Sequence, residues 1–399
     1  MHKFMIVVPP FFGHISPTLS LGAELISRGH EVVWVGLKPI DQKQVPEKGR
    51  FLVPEELEDH QEELLEILGK QDKGPSLSKL ETLKLALEET YVPFCHLLMP
   101  GLTRLVEEWE PDVIIHDELI FAAPILAVNK GIPYVTTIAV PPKVIDRFHI
   151  PKIENWVKGH TFGVQKAYGI DLDKPILRSE ELCIVSTSPE FADASGLGKQ
   201  YKFVGPLIKG RPNSVTFDWE RLDKASSPKI YVSIGTLLED IRKKFFSKVV
   251  EAFADSPYTF VCATNPDIIE EWPDNFIVQS YVPQSEIIPK MNAVICHGGF
   301  NTVNETFYHG LPMVITPIAY DQFYIASLVK EAGCGIDIRY KRLRIDALKQ
   351  ALDQILEPGN SYKKEALKIQ ASLKDCGGAE AAASHVEQFA ADKRPATVL

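Results

Sequence analysis

The sequence predicts an α/β protein made of two doubly wound domains, each built on a parallel sheet. Short apolar runs, typical of strands buried on both faces, alternate with helical segments along most of the chain. A polar, aperiodic stretch at residues 208–228 interrupts this alternation, which then begins again. The 399 residues suffice for two domains that each bury a core.

The first βαβ unit lies at the start of the chain. Phe4–Val8 is an apolar run that predicts a strand, and Glu31–Val35 predicts the next one. Between them, Ser16 and Pro17 suit the cap and the first position of a helix, because proline has no N–H to leave unpaired there. Two strands joined by a single helix must be parallel.

The rest of the first domain continues this pattern. Further strands are predicted at residues 112–117, 134–139, 183–188 and 203–204. A helical stretch of about Leu77–Trp109 is expected to break around Pro93 and Pro100. Residues 141–175 have aromatics and prolines without a clean period, which indicates a variable insertion that faces a ligand.

The second domain repeats the alternation. Its strands are predicted at residues 230–234, 259–262, 276–281, 293–296, 313–316 and 335–338. We assign residues 1–207 to an N-terminal domain, 208–228 to a linker, 229–380 to a C-terminal domain, and 381–399 to a helix that packs back on the N-terminal domain. Two such domains are expected to face each other across a cleft lined by strand carboxyl ends.

The composition limits the partners. The net charge is −10, and such a surface repels nucleic-acid backbones and anionic lipids. The N-terminal apolar run is too short for a signal peptide, and no run of about 18 apolar residues predicts a membrane span. The six cysteines are too sparse for a disulfide scaffold. We therefore expect a soluble cytoplasmic monomer or homodimer that binds neither nucleic acid nor membrane.

A turn in the second domain carries the clearest sign of a ligand. A strand ends at His297, and Gly298 and Gly299 separate it from a helix. The glycines let the backbone approach a ligand, and the unpaired N–H groups of the first helical turn suit a phosphate, to which His297 can add a donor. Asn301 and Glu305 are four apart and share a helix face. Taken alone, the pattern also describes a tight turn followed by a solvated helix.

Four blocks of this region resemble, in order, the C-terminal signature of the family 1 nucleotide-sugar glycosyltransferases, which have the GT-B architecture. The blocks are Tyr281-Val-Pro-Gln284, His297-Gly-Gly-Phe-Asn-Thr-Val-Asn-Glu305, Gly310-Leu-Pro312 and Asp321-Gln322. The resemblance covers the whole chain, since two α/β domains, a linker and a helical tail all fit. The chain looks bacterial and is similar to macrolide and carotenoid glycosyltransferases.

The resemblance implies a UDP-sugar site in the second domain. It implies that Tyr281 stacks on the uracil, that backbone near Val282 contacts the base edge, and that Glu305 holds the ribose. It implies that His297, Asn301 and Thr302 hold the diphosphate and that Asp321 and Gln322 bind the sugar. Gln284 and Gly299 are implied to be donor-binding residues as well. Plant members usually have Trp at the position of Tyr281, and tyrosine offers a smaller stacking face.

A second phosphate loop is expected where the first strand of this domain ends. The residues are Ser233, Gly235 and Thr236, and the resemblance places Thr236 near the β-phosphate. Serine and threonine are also common in any turn that ends a strand, which is the alternative interpretation.

The first domain is expected to supply the base. His14 follows the first strand in a predicted loop, at a carboxyl end where α/β proteins place reactive groups. A neutral imidazole can take a hydroxyl proton, and a carboxylate that fixes its tautomer improves it. Asp117 ends another parallel strand. A lone loop histidine more often has a capping or surface role, but the resemblance matches His14 to the family's base and Asp117 to its partner.

The acceptor is expected on aromatic side chains of the first domain. These are Phe11, Phe12, Phe121, Phe148 and Trp156, which can equally belong to the core. Asp171 and Asp173 form a D-x-D pair without further ligands, so a turn or a helix cap is expected there. His297, Thr236 and helix N–H groups can neutralise a leaving diphosphate, so neither a metal nor another cofactor is required.

Together these expectations describe an inverting, metal-independent glycosyltransferase that moves glucose from a UDP-sugar to a hydroxyl of a small hydrophobic natural product. The expected preference for UDP depends on Glu305, because dTDP lacks the ribose 2′-hydroxyl. The expected preference for glucose depends on Gln322. Two alternatives stay open. One is a GT-B enzyme of another class, such as a nucleotide-sugar epimerase, and the other is a catalytically idle homologue that acts as a binding partner.

Overall fold

A computed structural model of the protein describes residues 1–71, 77–144, 150–210, 215–225, 228–235 and 239–393. The chain divides into two compact units. The first takes in Met1–Thr187, Ala194–Pro212 and Cys376–Leu399, and the second takes in Ser188–Asp193 and Asn213–Asp375. The last helical segment therefore belongs to the first unit.

The first unit has, within the described residues, a parallel sheet of seven strands. They are β1 (Lys3–Val8), β2 (Glu31–Gly36), β3 (Arg50–Leu52), β4 (Val113–Asp117), β5 (Tyr134–Ile138), β6 (Cys183–Val185) and β7 (Tyr201–Phe203). Their order in the sheet is β3-β2-β1-β4-β5-β6-β7. The order reverses between β1 and β4, and doubly wound sheets bind ligands at the carboxyl ends of the strands on either side of such a reversal.

The second unit has a parallel sheet of six strands in the part of the chain that the structure describes. They are β8 (Lys229–Ser233), β9 (Thr259–Ala263), β10 (Phe276–Gln279), β11 (Ala293–Cys296), β12 (Met313–Ile315) and β13 (Gly335–Asp337). Their order is β10-β9-β8-β11-β12-β13, with the reversal between β8 and β11. Both units thus have the doubly wound, Rossmann-like topology that the sequence predicts.

Helices connect the strands of both sheets. In chain order they are α1 (Phe12–Ser27), α2 (Gln61–Gln71), α3 (Lys79–Ala86), α4 (Val92–Trp109), α5 (Ala122–Lys130), α6 (Pro151–Ala167), α7 (Trp219–Lys224), α8 (Glu239–Phe253), α9 (Gln284–Ile287), α10 (Phe300–Tyr308), α11 (Gln322–Glu331), α12 (Ile345–Leu356), α13 (Ser361–Asp375) and α14 (Gly378–Lys393). A π-helical turn, Leu87–Tyr91, joins α3 to α4.

Strand β1 shows how the first sheet is covered on both faces. Phe4, Ile6 and Val8 lie in one apolar cluster with residues of α1 and α14. Met5 and Val7 lie in another cluster with residues of α4 and α5. Alternate side chains of a strand point to opposite faces, so burial on both faces explains why the sequence of β1 is a continuous apolar run.

Charged side chains hold α14 to α1 and to the start of β2. Arg28 binds Glu387 at 2.6 Å and Glu24 at 2.8 Å. His30 Nε2 lies 2.8 Å from the other carboxylate oxygen of Glu387. Arg28 also donates to the carbonyl of Glu380 at 2.9 Å. These contacts, together with the shared apolar cluster, place the C-terminal helix in the first unit.

Helix α1 begins earlier than the sequence predicts. The N–H groups of His14 and Ile15 both donate to the Phe11 carbonyl, at 2.9 and 3.1 Å, so a helical turn forms ahead of Ser16. Pro17 consequently lies inside the helix, not at its first position. This shift carries His14 from a predicted loop onto the first turn of α1.

Helix α4 continues through both prolines that were expected to interrupt it. Pro93 is the second residue of α4 and follows the π-helical turn directly, and Pro100 is exposed inside the helix. Buried residues on both sides of Pro100, such as Leu98 and Leu102, keep the helix packed against the core. The irregularity is instead the π-helical turn that precedes α4.

Two elements of the first unit have weak sequence signals. Helix α6 lies in the segment expected to be a variable insertion that faces a ligand, and only Thr161, Val164 and Gln165 are buried along the helix. Two of these three are polar, so the apolar period is faint. Strand β3 is only three residues long and none of its residues is buried.

Gly22→Ala tests how α1 packs on the sheet. A Cβ at Gly22 lies 2.1 Å from the ring of Trp34, which is fully buried in β2. We expect the free energy of unfolding to fall by about 2 kcal/mol, because the core has no room for the methyl group. Chemical denaturation measures the change.

Gly69→Ala in α2 is the matched control, because no atom lies within 4 Å of the added methyl group. Alanine there is expected to stabilise the protein by up to about 1 kcal/mol through helix propensity. Stabilisation by both substitutions would contradict the packing of Gly22 against Trp34.

Candidate active site

His14 and Asp117 meet where the strand order of the first sheet reverses. β1 and β4 are parallel neighbours, so the segments that follow them leave the same edge of the sheet. His14 Nδ1 lies 2.8 Å from Asp117 Oδ2, and the Asp117 side chain is fully buried while that of His14 is 16% exposed. Asp117 Oδ1 accepts a hydrogen bond from the N–H of Leu119 at 3.0 Å. The carboxylate is thus held on both oxygens.

This arrangement selects the tautomer of His14. A carboxylate can only accept, so the proton of the neutral ring lies on Nδ1 and the lone pair on Nε2. The pair can therefore act as a general base through Nε2.

The neighbouring His116 has a structural role. It is fully buried, with Nδ1 2.9 Å from the Asp117 carbonyl and Nε2 2.9 Å from Thr136 Oγ1. Burial lowers the pKa of His116 to about 4, so the ring stays neutral inside the core. His116 thus supports the backbone of Asp117 and is not itself a candidate base.

Of the predicted acceptor residues, Phe11 contacts His14, and Phe121 lies in the apolar cluster against which Phe11 packs. The rings of Phe11 and His14 are 6.2 Å apart, and Phe94, which the sequence analysis did not single out, lies 6.1 Å from Phe11. Phe121 is buried at the start of α5 and packs edge-on against Tyr91 at 6.0 Å. Tyr91 belongs to the π-helical turn, so helical periodicity gave no reason to select it.

The other predicted acceptor residues have different surroundings. Phe12 is 54% exposed on the first turn of α1. Trp156 lies on α6, packs against the core and meets the His160 ring at 4.8 Å. Phe148 lies outside the described residues.

A second buried carboxylate, which the sequence analysis missed, follows Asp117 directly. The Glu118 side chain is 5% exposed, and its Oε2 accepts from Arg178 Nη2 at 2.6 Å. Its Oε1 has no hydrogen-bond partner among the described residues. Burial, opposed by Arg178, raises the pKa of Glu118. The two partners are 60 positions apart, so no sequence spacing could have indicated the pair.

The candidate phosphate-binding residues of the second unit also lie at a strand reversal. Ser233, the last residue of β8, is paired with Cys296, the last residue of β11. The turns that follow the two strands therefore start side by side. Gly235 takes a left-handed φ of 68°, and Thr236 lies outside the described residues.

His297 is enclosed by the two glycine turns. A Cβ added to Gly235 or to Gly299 lies 2.9 Å from the His297 ring, so only glycine allows this approach at either position. Gly299 is the N-cap of α10, and the unpaired N–H groups of the first turn of α10 follow it directly.

Burial also decides the charge of His297. It lowers the pKa of the ring to about 4, although a hydrogen bond with the Ser233 backbone acts in the opposite direction. Near neutral pH the ring is uncharged and has a single N–H to donate. Its Nδ1 is buried without a hydrogen-bond partner in the described part of the chain. The N–H groups of α10 are therefore the main electrostatic attraction for an anion at this turn.

Glu305 is buried on α10 and bound by Gln284. It is 2% exposed, and Gln284 Nε2 donates to its Oε2 at 2.7 Å. Gln284 Oε1 accepts from the Tyr231 hydroxyl at 3.1 Å and faces Thr302 Oγ1 at 3.4 Å. The alternative of a solvated helix carboxylate is therefore wrong. Two separate blocks of the sequence form one network here.

The predicted base-binding segment is open to solvent. The Tyr281 side chain is 76% exposed, and the Tyr281 carbonyl accepts from Gln279 Nε2 at 2.7 Å. The Val282 carbonyl accepts from the Gln284 N–H at 2.8 Å. Asn301 is partly buried in the first turn of α10. The backbone of this segment is thus held while the tyrosine ring stays available.

The two predicted sugar-binding residues begin α11. Asp321 is its N-cap, and Tyr320 before it has a φ of 54°, a left-handed conformation uncommon for tyrosine. Gln322 Oε1 accepts from the N–H groups of Ile318 and Ala319 at 2.8 and 2.9 Å. The Gln322 oxygen therefore holds the preceding turn, and a contact with a sugar hydroxyl has to come from the side-chain NH₂ group.

Comparison with known proteins finds similarity to glycosyltransferases. The family model described as UDP-glucoronosyl and UDP-glucosyl transferase matches residues 201–376. An uncharacterized UDP-glucosyltransferase of Bacillus subtilis (strain 168) is 26% identical, with 97% of this chain and 97% of the relative covered. Residues 201–376 thus match the UDP-glycosyltransferase family, and the chain as a whole is similar to a bacterial member of it.

Solved glycosyltransferases share its GT-B fold. The calicheamicin glycosyltransferase CalG4 has a TM-score of 0.77 at 21% identity, covering 99% of this chain and 100% of that one. The glycosyltransferase VinC in complex with dTDP has a TM-score of 0.73 at 19% identity, covering 98% of this chain and 100% of that one.

The D-x-D pair of this glycosyltransferase lies on the surface. Asp171 and Asp173 are exposed, and Asp171 lies 3.3 Å from Lys166. No group of three or more His, Cys, Asp or Glu side chains in the described residues is arranged to hold a metal ion.

In the same residues, no helix combines the length and the apolarity needed to cross a bilayer.

Arg178→Met tests the ion pair beside the candidate base. The substitution removes the ion-pair partner of the buried Glu118 carboxylate, and we expect the free energy of unfolding to fall by about 3 kcal/mol near neutral pH. Burial already raises the pKa of Glu118, and loss of Arg178 raises it further, so the folded state takes up a proton more readily than the unfolded state. The deficit is therefore largest at high pH and shrinks as the pH falls.

Denaturation of Arg178→Met and wild type between about pH 5 and pH 8 measures this effect. The double variant Arg178→Met with Glu118→Gln is the control, because it removes the charge and is expected to recover much of the loss. A deficit that does not change with pH would contradict the assignment to Glu118.

Proposed function

We propose that this glycosyltransferase moves a sugar from UDP to a hydroxyl of a small hydrophobic acceptor, with inversion and without a metal. The hydrogen bond of 2.8 Å between His14 and Asp117 carries the proposal. It leaves a neutral imidazole nitrogen at the carboxyl end of β1, which is the group needed to take a proton from an alcohol.

In the proposed reaction His14 Nε2 takes the acceptor proton as the acceptor oxygen attacks the anomeric carbon. Attack comes from the face opposite the diphosphate, so the bond to the diphosphate breaks and an α-linked donor gives a β-linked product. Asp117 stabilises the imidazolium that forms. The charge that develops on the β-phosphate is met by the N–H groups at the start of α10.

The proposal of UDP rests on Glu305. A buried carboxylate that accepts from the ribose 2′-hydroxyl is left unmet by a deoxyribose nucleotide, and that loss disfavours dTDP. The Bacillus relative is described as a UDP-glucosyltransferase, which supports UDP as the nucleotide and glucose as the sugar. The VinC structure contains dTDP, so dTDP is the second candidate nucleotide. Glucose rests further on the sugar contact proposed for the Gln322 NH₂ group.

The proposal of a hydrophobic acceptor rests on the aromatic residues of one apolar cluster, which reaches His14 through Phe11. Phe11 contacts the His14 ring and Phe94 contacts Phe11, while Phe121 packs against Tyr91. Aromatic side chains that line a pocket bind planar, apolar molecules by burying apolar surface and by edge-to-face ring contacts. A hydroxylated aromatic natural product is therefore the proposed acceptor class.

Removal of the base is the first test. An acceptor is first found by screening hydroxylated aromatic compounds with UDP-glucose and detecting products by mass spectrometry. With that acceptor, His14→Ala is expected to lower kcat by about 10²–10⁴-fold. Asp117→Asn is expected to do the same, because its amide can donate to His14 Nδ1 and so drive the ring proton to Nε2, where it blocks the base.

His60→Ala is the matched control, because His60 is half-exposed and pairs only with the surface residue Glu63 among its described contacts. It is expected to keep wild-type turnover. Near-normal kcat in His14→Ala would remove His14 from the mechanism. A large loss in His14→Ala with none in Asp117→Asn would remove the tautomer argument.

Donor preference is the second test. We expect kcat/KM for UDP-glucose to exceed that for dTDP-glucose by about tenfold or more, and Glu305→Gln to narrow the difference. Steady-state kinetics with both donors, and with UDP-galactose, separate the choice of nucleotide from the choice of sugar. Equal turnover of the two glucose donors by the wild type would refute the preference for UDP.

A further inference from the structure

Tyr231 lies in the middle of the second sheet, beside the candidate nucleotide site. It belongs to β8, its register partner in the neighbouring strand β11 is Val294, and it is 1% exposed. Tyr231 and Ser233 are two positions apart on β8, so their side chains share one face of the sheet. Neither the four signature blocks nor the second phosphate loop includes Tyr231.

The Tyr231 hydroxyl connects the second phosphate loop to Glu305. The hydroxyl interacts with the side chain of Ser233 and donates to Gln284 Oε1 at 3.1 Å. Gln284 Nε2 in turn donates to Glu305 Oε2 at 2.7 Å. Thr302 Oγ1, at 3.4 Å, is a second donor for Gln284 Oε1.

These groups permit one orientation of the Gln284 amide. A carboxylate can only accept, so Glu305 must face the NH₂ group, and the amide oxygen must then face the Tyr231 hydroxyl. The flipped amide would set its oxygen against the Glu305 carboxylate, and neither of these groups can donate. Beside a buried carboxylate this mismatch leaves polar atoms unpaired.

We infer that Tyr231 is a positioning residue that sets the specificity of this enzyme for a ribonucleotide donor. Its hydroxyl holds Gln284, and Gln284 holds the Glu305 carboxylate at the orientation that accepts from the ribose 2′-hydroxyl. The inference rests on the proposed function, in which Glu305 binds the ribose. Because Tyr231 and Glu305 are both buried, the Glu305 carboxylate is held in place before the nucleotide arrives.

Tyr231→Phe tests the inference, because it removes the hydroxyl and leaves the ring in the core. Calorimetric titration with UDP and with 2′-deoxy-UDP measures the contribution of the 2′-hydroxyl. For the wild type we expect UDP to bind about tenfold or more tightly than 2′-deoxy-UDP. For Tyr231→Phe we expect the ratio to fall to about threefold or less, because UDP binding weakens while 2′-deoxy-UDP binding changes little.

Two further variants separate positioning from a general loss of structure. Tyr340→Phe is the matched control, because its hydroxyl donates at 3.4 Å to the Ile241 carbonyl in the same unit, and it is expected to keep the wild-type ratio. Gln284→Met removes the amide through which Tyr231 acts. In that background Tyr231→Phe is expected to change the ratio no further.

The outcomes distinguish this inference from the proposed function. A wild type that binds UDP and 2′-deoxy-UDP equally overturns both the ribose contact of Glu305 and the role of Tyr231. A wild type that separates them, with Tyr231→Phe keeping the ratio or weakening both nucleotides equally, overturns the role of Tyr231 alone. A full wild-type ratio in Gln284→Met also overturns it, which keeps the test decisive if Tyr231→Phe does not fold.

Discussion

The reversal of strand order within each parallel sheet is the constraint on which both candidate sites depend. It makes β1 a neighbour of β4 and β8 a neighbour of β11, with the carboxyl ends of each pair at one edge. His14 and Asp117 are 103 residues apart in the chain, yet each lies just beyond or at the end of one of these neighbouring strands. Ser233 and His297 are brought together in the same way. In both units the crevice of the fold is where the polar groups converge.

Burial then gives these polar groups their chemical character. Asp117 and Glu305 are carboxylates removed from water, and each is held by hydrogen bonds from named donors or from an imidazole. Such groups are costly to bury and do not reorganise when a ligand arrives, which is the condition for electrostatic stabilisation of a reaction. The same burial keeps His116 and His297 neutral, and so separates them from His14 in function.

Much of the fold could be predicted, because strands buried on both faces have uninterrupted apolar sequences. Elements with a polar or short pattern were missed, such as α6 and β3, and Pro17 and Pro100 were misleading because packing carries helices across them. The residue types at the candidate nucleotide site were also predictable, from the four signature blocks in the second half of the sequence. The pairing of His14 with Asp117 was predicted from family resemblance, since spacing alone left a surface or capping role open.

The sequence by itself determined the fold class, the two parallel sheets and the residue types at the strand ends, because these depend on local pattern. Only the tertiary structure decided which side chains are partners. It alone shows Glu118 with Arg178, Gln284 between Tyr231 and Glu305, and the Gln322 oxygen turned to the backbone. The physical reason is that each of these hydrogen bonds, and the burial that strengthens it, depends on how the folded chain brings its two partners together. The local sequence around one partner does not indicate the other.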